Sequence, residues 1–440
     1  MNSCVLIRSL TYTTALLYGL LYHNAAQAFC GHYLGTAEST ISNSVSHIVY
    51  VREGNKSTIT MANDFQGGLP SFSMLIPVPG NHSAPPKQVS MDLLSRVNQY
   101  AGPRLVEYNC ADLYDKDNAS GGCTCGSSIV DLLGGVLRDE LVDLFEMTEL
   151  AQGEYQITDV PSQGKEELEN WVADQGLYLP AEAADLIEQQ LTGGTQFYAL
   201  QVGRDEIVAG NLLLPPIQFS YESSVWSLPI QLGALNSLGA QEVILHVITD
   251  IDDGAVAISN YPEFSVESEC MVDESVTGFS AFYEDFYLQA FDDNNNQASW
   301  STEYVWAPLK CDPCTGSGPL NESLMRELGY EGDVSRAVLS RLHIRYAPSA
   351  IHGDLSLYPS QQSTNHQQKY IVYQPSLESD FPICGQGFVE SGGSCEQPDT
   401  ASQQSKTGNK TTTSRWAMLL GLSLLGLGRR FRIHTAAANR

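Results

Sequence analysis

Short runs of apolar or alternating apolar and polar residues recur at 46–52, 57–62, 72–78, 196–202, 242–249, 286–290, 341–346 and 369–373. Side chains of a strand point to opposite faces in turn, so these runs predict strands. The first two are separated only by Glu53-Gly54-Asn55-Lys56, a hairpin signal. A helical period appears in fewer places. The stretch 90–100 is amphipathic. In 165–175, Leu168, Trp171 and Val172 share one face. The stretch 180–191 opens on Pro180 and stops at Gly193-Gly194, and 320–328 is a further helix candidate. The helices at 165–175 and 180–191 are expected to form an αα-hairpin clasping a sheet. Strands follow one another without regular crossover helices. The expected class is therefore α+β, mainly antiparallel β with an αα-hairpin and a few helices, and with disulfides. No internal repeat is visible.

The two ends break this pattern. Residues 1–28 hold one charge, Arg8, then a short apolar stretch, then Ala26-Gln27-Ala28. That order reads as a signal peptide with Phe29 at the mature start. The apolar stretch is shorter than the ~20 residues that span a bilayer. The body is expected over 29–374, as one or two domains. Residues 375–414 form a Cys-containing segment and a Ser/Thr-rich tether. In 415–440, about a dozen apolar residues lead into Arg429-Arg430-Phe431-Arg432. This reads as a short C-terminal membrane anchor or sorting tail with its positive end on the cytoplasmic side.

Charge follows the same division. The 440 residues carry 51 Asp and Glu against 23 Lys and Arg, a net of −28. One basic and no acidic residue lies in 1–28, and five basic and no acidic residues in 415–440. That leaves 17 basic and 51 acidic residues between them, a net of −34. A chain this acidic is not expected to bind nucleic acid, which needs clustered Lys and Arg. With 42% hydrophobic residues it has the apolar content for a core, which excludes a disordered acidic chain.

Ten cysteines fit an oxidising compartment. Cys4 leaves with the leader. Cys30, Cys110, Cys123, Cys125, Cys270, Cys311, Cys314, Cys384 and Cys395 are then disulfide candidates, and their odd number leaves one over. Cys384 and Cys395 are a plausible pair. Cys311-Asp312-Pro313-Cys314 is the one CxxC. It has the spacing of a redox dithiol, half a metal site or a local bridge.

Several blocks, in order along 29–373, resemble one bacterial family of exported proteins, domain of unknown function 2330. They begin with Phe29-Cys30-Gly31, then Ile59 to Gly67 with Asn63-Asp64-Phe65-Gln66, then Phe72 to Pro79. Gly102-Pro103-Arg104-Leu105-Val106-Glu107-Tyr108 follows, then Gly153-Glu154-Tyr155, Trp171, Leu214-Pro215-Pro216 and Leu228-Pro229-Ile230. Cys311 to Cys314, Arg341 to Tyr346 and Asn365 to Tyr370 complete the set. The stretches 79–88 and 115–122 depart from it. The resemblance implies an exported, Cys-containing fold and supplies no catalytic residues.

No HExxH, GxSxG, P-loop or GxGxxG motif occurs. No cofactor is predicted, and calcium is the alternative that the acidic runs offer. Asp292, Asn294 and Asn296 stand at alternate positions with Glu303 twelfth, but Gln297 and Trp300 replace a Gly and a ligand of the EF-hand pattern. The acidic run 250–254 reads as a turn. Asp64, Arg104 and Glu107 are polar in mixed surroundings, with a buried Arg–carboxylate pair as the structural reading. His343 alternates with Leu342 and Ile344 and is expected to face outward. The chain thus reads as an exported, envelope-associated protein with a non-catalytic binding or structural role. Its expected partners are the membrane, through 415–440, and other envelope proteins. The alternative is an extracytoplasmic enzyme, redox-active through Cys311 and Cys314 or hydrolytic.

Overall fold

The computed structural model describes residues 30–39, 41–67, 71–82, 84–107, 140–141, 148–149, 155–160, 164–203, 212–268, 271–273, 279–294, 297–308, 320–360 and 365–373. Contacts divide the chain into 1–395 and 396–440, and every described residue lies in the first part. The main strands are β1 His32–Leu34, β2 Val45–Glu53, β3 Lys56–Phe65, β4 Ser71–Val78, β5 Tyr155–Asp159 and β6 Gln196–Gly203. They continue with β7 Ile217–Glu222, β8 Gln241–Asp250, β9 Ala298–Trp306 and β10 Ala337–Tyr346. The helices that matter here are α1 Met91–Ala101, α2 Lys165–Asp174, α3 Ala181–Thr192, α4 Phe279–Asp293 and α5 Glu322–Glu327.

The large sheet runs β9-β10-β8-β2-β3, with β7 continuing beyond β3. All these neighbours are antiparallel except β8 and β2. The hairpin β2–β3 closes on Glu53 opposite Lys56. Gly54, at φ +59°, supplies the left-handed backbone that this two-residue turn requires. The small sheet runs β1-β4-β6-β5, antiparallel throughout.

The two sheets meet face to face. From the large sheet, Ile48, Tyr50, Val243, Leu245, Val247, Leu342 and Ile344 enter one core cluster with Phe72, Met74, Ile76, Tyr198 and Leu200 of the small sheet. The small sheet's outer face, Leu75, Phe197 and Ala199, is covered by Leu168 and Val172 of α2 and Ala183 and Ile187 of α3. The expected αα-hairpin on a sheet is therefore present. On the outer face of the large sheet, α1 and α5 cover Val49, Val51, Ile248 and Leu339. The layers are helix, sheet, sheet, helix, mixed α and β with mostly antiparallel sheets.

The observed strands match the expected ones at 46–52, 57–62, 72–78, 196–202, 242–249, 341–346 and 369–373. The helices expected at 90–100, 165–175, 180–191 and 320–328 are also found, within a few residues. The strand expected at 286–290 is instead the middle of α4. Phe279, Tyr283, Phe286, Tyr287 and Phe291 recur at helical spacing and pack on Leu105, Phe264, Val266 and Tyr370. Five aromatic-rich residues look β-forming. The 3.6-residue period shows only over the full fifteen.

Cys30 is a buried, free thiol among the described residues. Burial, with a smaller contribution from Asp354, pushes its pKa up. Cys110, Cys123, Cys125, Cys270, Cys311, Cys314, Cys384 and Cys395 lie outside the described residues, as do 1–28, the tether and the tail. Among the described residues no helix is long and apolar enough to cross a membrane.

Candidate functional site

Alternation along β10 sends Leu342 and Ile344 into the core between the sheets. Arg341, His343 and Arg345 must then share the opposite face. Register places Glu242 of β8 across from Arg345 and His246 across from Arg341. On the other side of β10, Ser301 of β9 stands opposite His343 and Tyr304 opposite Arg341. Three positions of β9 thus span two of β10, and the irregularity falls at Glu303. Such a bulge re-aims a side chain. Here it delivers the Glu303 carboxylate between Arg341 and His343.

The result is an ion network that is buried at Arg341, Glu303 and His343 and partly exposed at Glu242 and Arg345. Arg341 Nε donates to Glu303 Oε2 at 2.5 Å, and both side chains are at most 1% exposed. Arg341 Nη1 also donates to Asn98 Oδ1 of α1 and lies 3.1 Å from His246 Nε2. His343 Nδ1 is 2.9 Å from Glu303 Oε1, and its Nε2 is 3.3 Å from Glu242 Oε2. Arg345 Nη1 donates to Glu242 Oε1. Tyr283 Oη donates to Glu303 Oε1 at 2.5 Å.

Electrostatics follows from this geometry. Burial opposes charge on Glu303, but Arg341 and His343 outweigh it and hold the carboxyl well below the usual range. Glu242 is shifted down in the same way, against burial, by His343 and Arg345. Burial disfavours charged His343, yet Glu303 and Glu242 raise its pKa. The neighbouring His47 and His246 go the other way. Burial, then Arg341, pushes His47 down to about 3 and His246 well below its ordinary value. One face thus carries an imidazole shifted toward its charged form beside two shifted toward their neutral form.

Helix α4 closes the network. Tyr283, Tyr287 and Phe291 lie four residues apart, one rung of about 6 Å each. Alternate residues of β10 are spaced about 6.6 Å. The rungs therefore stay nearly in step, and Tyr287 stacks on His343 with ring centroids 3.7 Å apart. Phe291 lies 5.6 Å from the Arg345 guanidinium.

A cleft of about 250 Å³ opens beside β9, lined by Glu263, Phe264, Ser265, Val266, Thr302, His366 and Gln368. Thr302 donates to Glu263 at 3.0 Å, and Gln368 N–H donates to the Glu303 carbonyl at 2.7 Å. Phe264 forms part of the cleft wall and packs on Tyr287 and Phe291.

The sequence profile of the family described as "Uncharacterized protein conserved in bacteria (DUF2330)" matches residues 24–358. The chain belongs to this family. The match takes in the ordered blocks from Phe29 to Tyr346, and the α+β body described above is the fold this DUF2330 chain adopts. No curated protein matches the chain. Among solved structures, the crystal structure of baculovirus P35 is similar at 10% identity over 51% of this chain and 72% of that chain, with a TM-score of 0.25. A superposition that loose carries no argument.

The structure separates the calcium candidates. Asp292 lies in the last turn of α4 and Asn294 follows the helix, both exposed. Asn296 lies outside the described residues. Glu303 is buried on β9 and engaged by Arg341, His343 and Tyr283. Among the described residues no group of three His, Cys, Asp or Glu is placed to hold a metal. The run 250–254 is a turn bridged by Arg336, 2.6 Å from Asp250 and 2.7 Å from Asp252.

His343 is not outward-facing, as the alternation suggested, but 4% exposed. Both faces of this strand are buried, one under a second sheet and one under α4, so alternation alone misassigned it. Arg104 is buried as expected, but donates to Tyr100 O at 2.6 Å and lies over the Tyr304 ring. Asp64 lies elsewhere. Its Oδ1 accepts from Ser44 N, from Val45 N at 2.9 Å and from Asn43 Nδ2 at 2.6 Å. Burial, only partly offset by these donors, lifts its pKa to about 7. The Glu107 side chain lies outside the described residues. The network was missed because its members sit on three strands far apart in sequence. The available signal was Arg341-x-His343-x-Arg345 within an apolar strand, together with His246 inside another.

Proposed function

We propose that this DUF2330 protein is an exported, envelope-associated protein with a non-catalytic binding or structural role. The observation that carries the reading is the closure of the network. Arg341, Glu303 and His343 are 0–4% exposed, and they bond to one another, to Glu242 and His246 of β8, to Asn98 of α1 and to Tyr283 of α4. A turnover site must admit substrate to its titratable groups, whereas these groups tie strands to helices. The leader pattern of 1–28 sends the acidic body out of the cytoplasm, and the tail at 415–440 holds it at the membrane. The body then displays its binding surface, for other envelope proteins, at the end of the tether. The test uses the full chain expressed in a bacterium. Mass spectrometry of the N-terminus is expected to find Phe29, and membrane fractions are expected to retain the chain unless 415–440 is removed. A chain starting at Met1 in the cytosolic fraction would overturn the proposal.

A further inference from the structure

His343 is placed as no neutral imidazole would be. Both ring nitrogens face carboxylate oxygens, Glu303 Oε1 at 2.9 Å and Glu242 Oε2 at 3.3 Å. A carboxylate only accepts, so both bonds form together only when both nitrogens carry a proton. The face of the ring is covered by Tyr287, 3.7 Å away and 9° from parallel. A stack on an aromatic face is stronger for a cation than for a neutral ring. The same Tyr287 donates from Oη to the His343 carbonyl at 3.2 Å.

We infer that His343 is a proton-dependent pin for helix α4: as an imidazolium it locks α4 to the sheet, and losing that proton at alkaline pH loosens α4 and the cleft beside it. Three rungs join helix to sheet. Tyr283 meets Glu303, Tyr287 meets His343 and Phe291 meets Arg345. Only the middle rung contains an imidazole, the side chain whose ordinary titration lies nearest neutrality. Deprotonation removes one N–H···O bond, weakens the stack, and leaves a lone pair against a carboxylate. The effect passes to the cleft through Phe264, whose ring lies 5.3 Å from Tyr287.

The charged and titratable groups around His343 come from every packed element. β9 supplies Glu303, β8 supplies Glu242 and His246, β2 supplies His47, and β10 supplies Arg341 and Arg345. From α4 come Tyr283, Tyr287 and Glu284, whose own pKa is raised by burial and by Glu242. His47 and His246 are already neutral by their burial beside Arg341, so they do not follow the same step. The tyrosines are raised further from neutrality, chiefly by burial.

The test is amide hydrogen exchange of the whole chain, corrected for intrinsic rate, at pH 6 and pH 9.5. Exchange over 279–293 is expected to rise at least tenfold while 241–250 stays protected. His343→Gln is expected to exchange fast over 279–293 at both pH values. No rise in the wild type, or a rise that persists in His343→Gln, would overturn the inference. Should that variant fail to fold, wild type carrying ¹³C-labelled histidine decides. The His343 ring must titrate over the interval in which α4 loosens. A ring neutral throughout, or a midpoint apart from the exchange step, would overturn it.

Discussion

His343 and Tyr287 lie face to face, their planes 9° from parallel, at the junction of strand β10 and helix α4. Their contact joins the strand that carries Arg341, His343 and Arg345 to the most aromatic of the described helices. It gives the buried charge an aromatic cover in place of water.

Removing that cover has a defined direction. Tyr287→Ala deletes a buried ring and uncovers His343, and is expected to lower stability by about 3–5 kcal/mol. Tyr287→Phe keeps the stack and removes the hydroxyl that donates to the His343 carbonyl, for about 1 kcal/mol. Urea unfolding of the two variants checks the ratio.

Because its folded pKa is raised, His343 contributes stability that is fully present below its unfolded value of 6.5 and lost as pH rises through the folded value. The stability difference between wild type and His343→Gln should therefore shrink as pH is raised above neutrality. Urea midpoints at pH 6, 7.5 and 9 measure it.

Asp64 carries the same sign at a different site. Its folded pKa of about 7 exceeds the unfolded 3.8, so its stabilisation is full below the unfolded value and disappears as pH rises through 7. Asp64→Asn keeps an oxygen for Ser44 and Val45 and removes the titration. Relative to wild type, it should gain roughly 2–4 kcal/mol between pH 4 and pH 8. A gain in the opposite direction would show that Asp64 is ionised inside the fold.

Two glycines separate backbone strain from crowding. At Gly54, φ +59°, an added Cβ meets nothing within 4 Å. Gly54→Ala should cost about 1–2 kcal/mol and Gly54→Asn less. At Gly329, φ +98°, an added Cβ would stand 2.7 Å from Thr58 Cγ2. Gly329→Ala should cost more than Gly54→Ala, read from the same urea curves.

The strand and helix framework was legible because each piece signals locally. The hairpin β2–β3 announced itself through Gly54-Asn55, and α3 through Pro180 and Gly193. What the pattern missed is non-local. Glu303 stood twelfth from Asp292 along the chain, yet a bulge in β9 turns it toward Arg341, 38 residues away. Likewise, no window around 341–346 reveals that α4 roofs the face that His343 occupies, so its burial could not be read from its own strand.

The central claim is that the Arg341–Glu303 pair belongs to a sealed framework and not to an open site. A double-mutant cycle by urea unfolding, with Arg341→Met, Glu303→Gln and the two combined, tests it most directly. Breaking a buried pair leaves an uncompensated charge, so each single change should cost about 3–5 kcal/mol. The double variant should cost less than their sum by roughly 2 kcal/mol or more. Single changes below about 1 kcal/mol with no coupling, the behaviour of a water-exposed pair, would contradict the account.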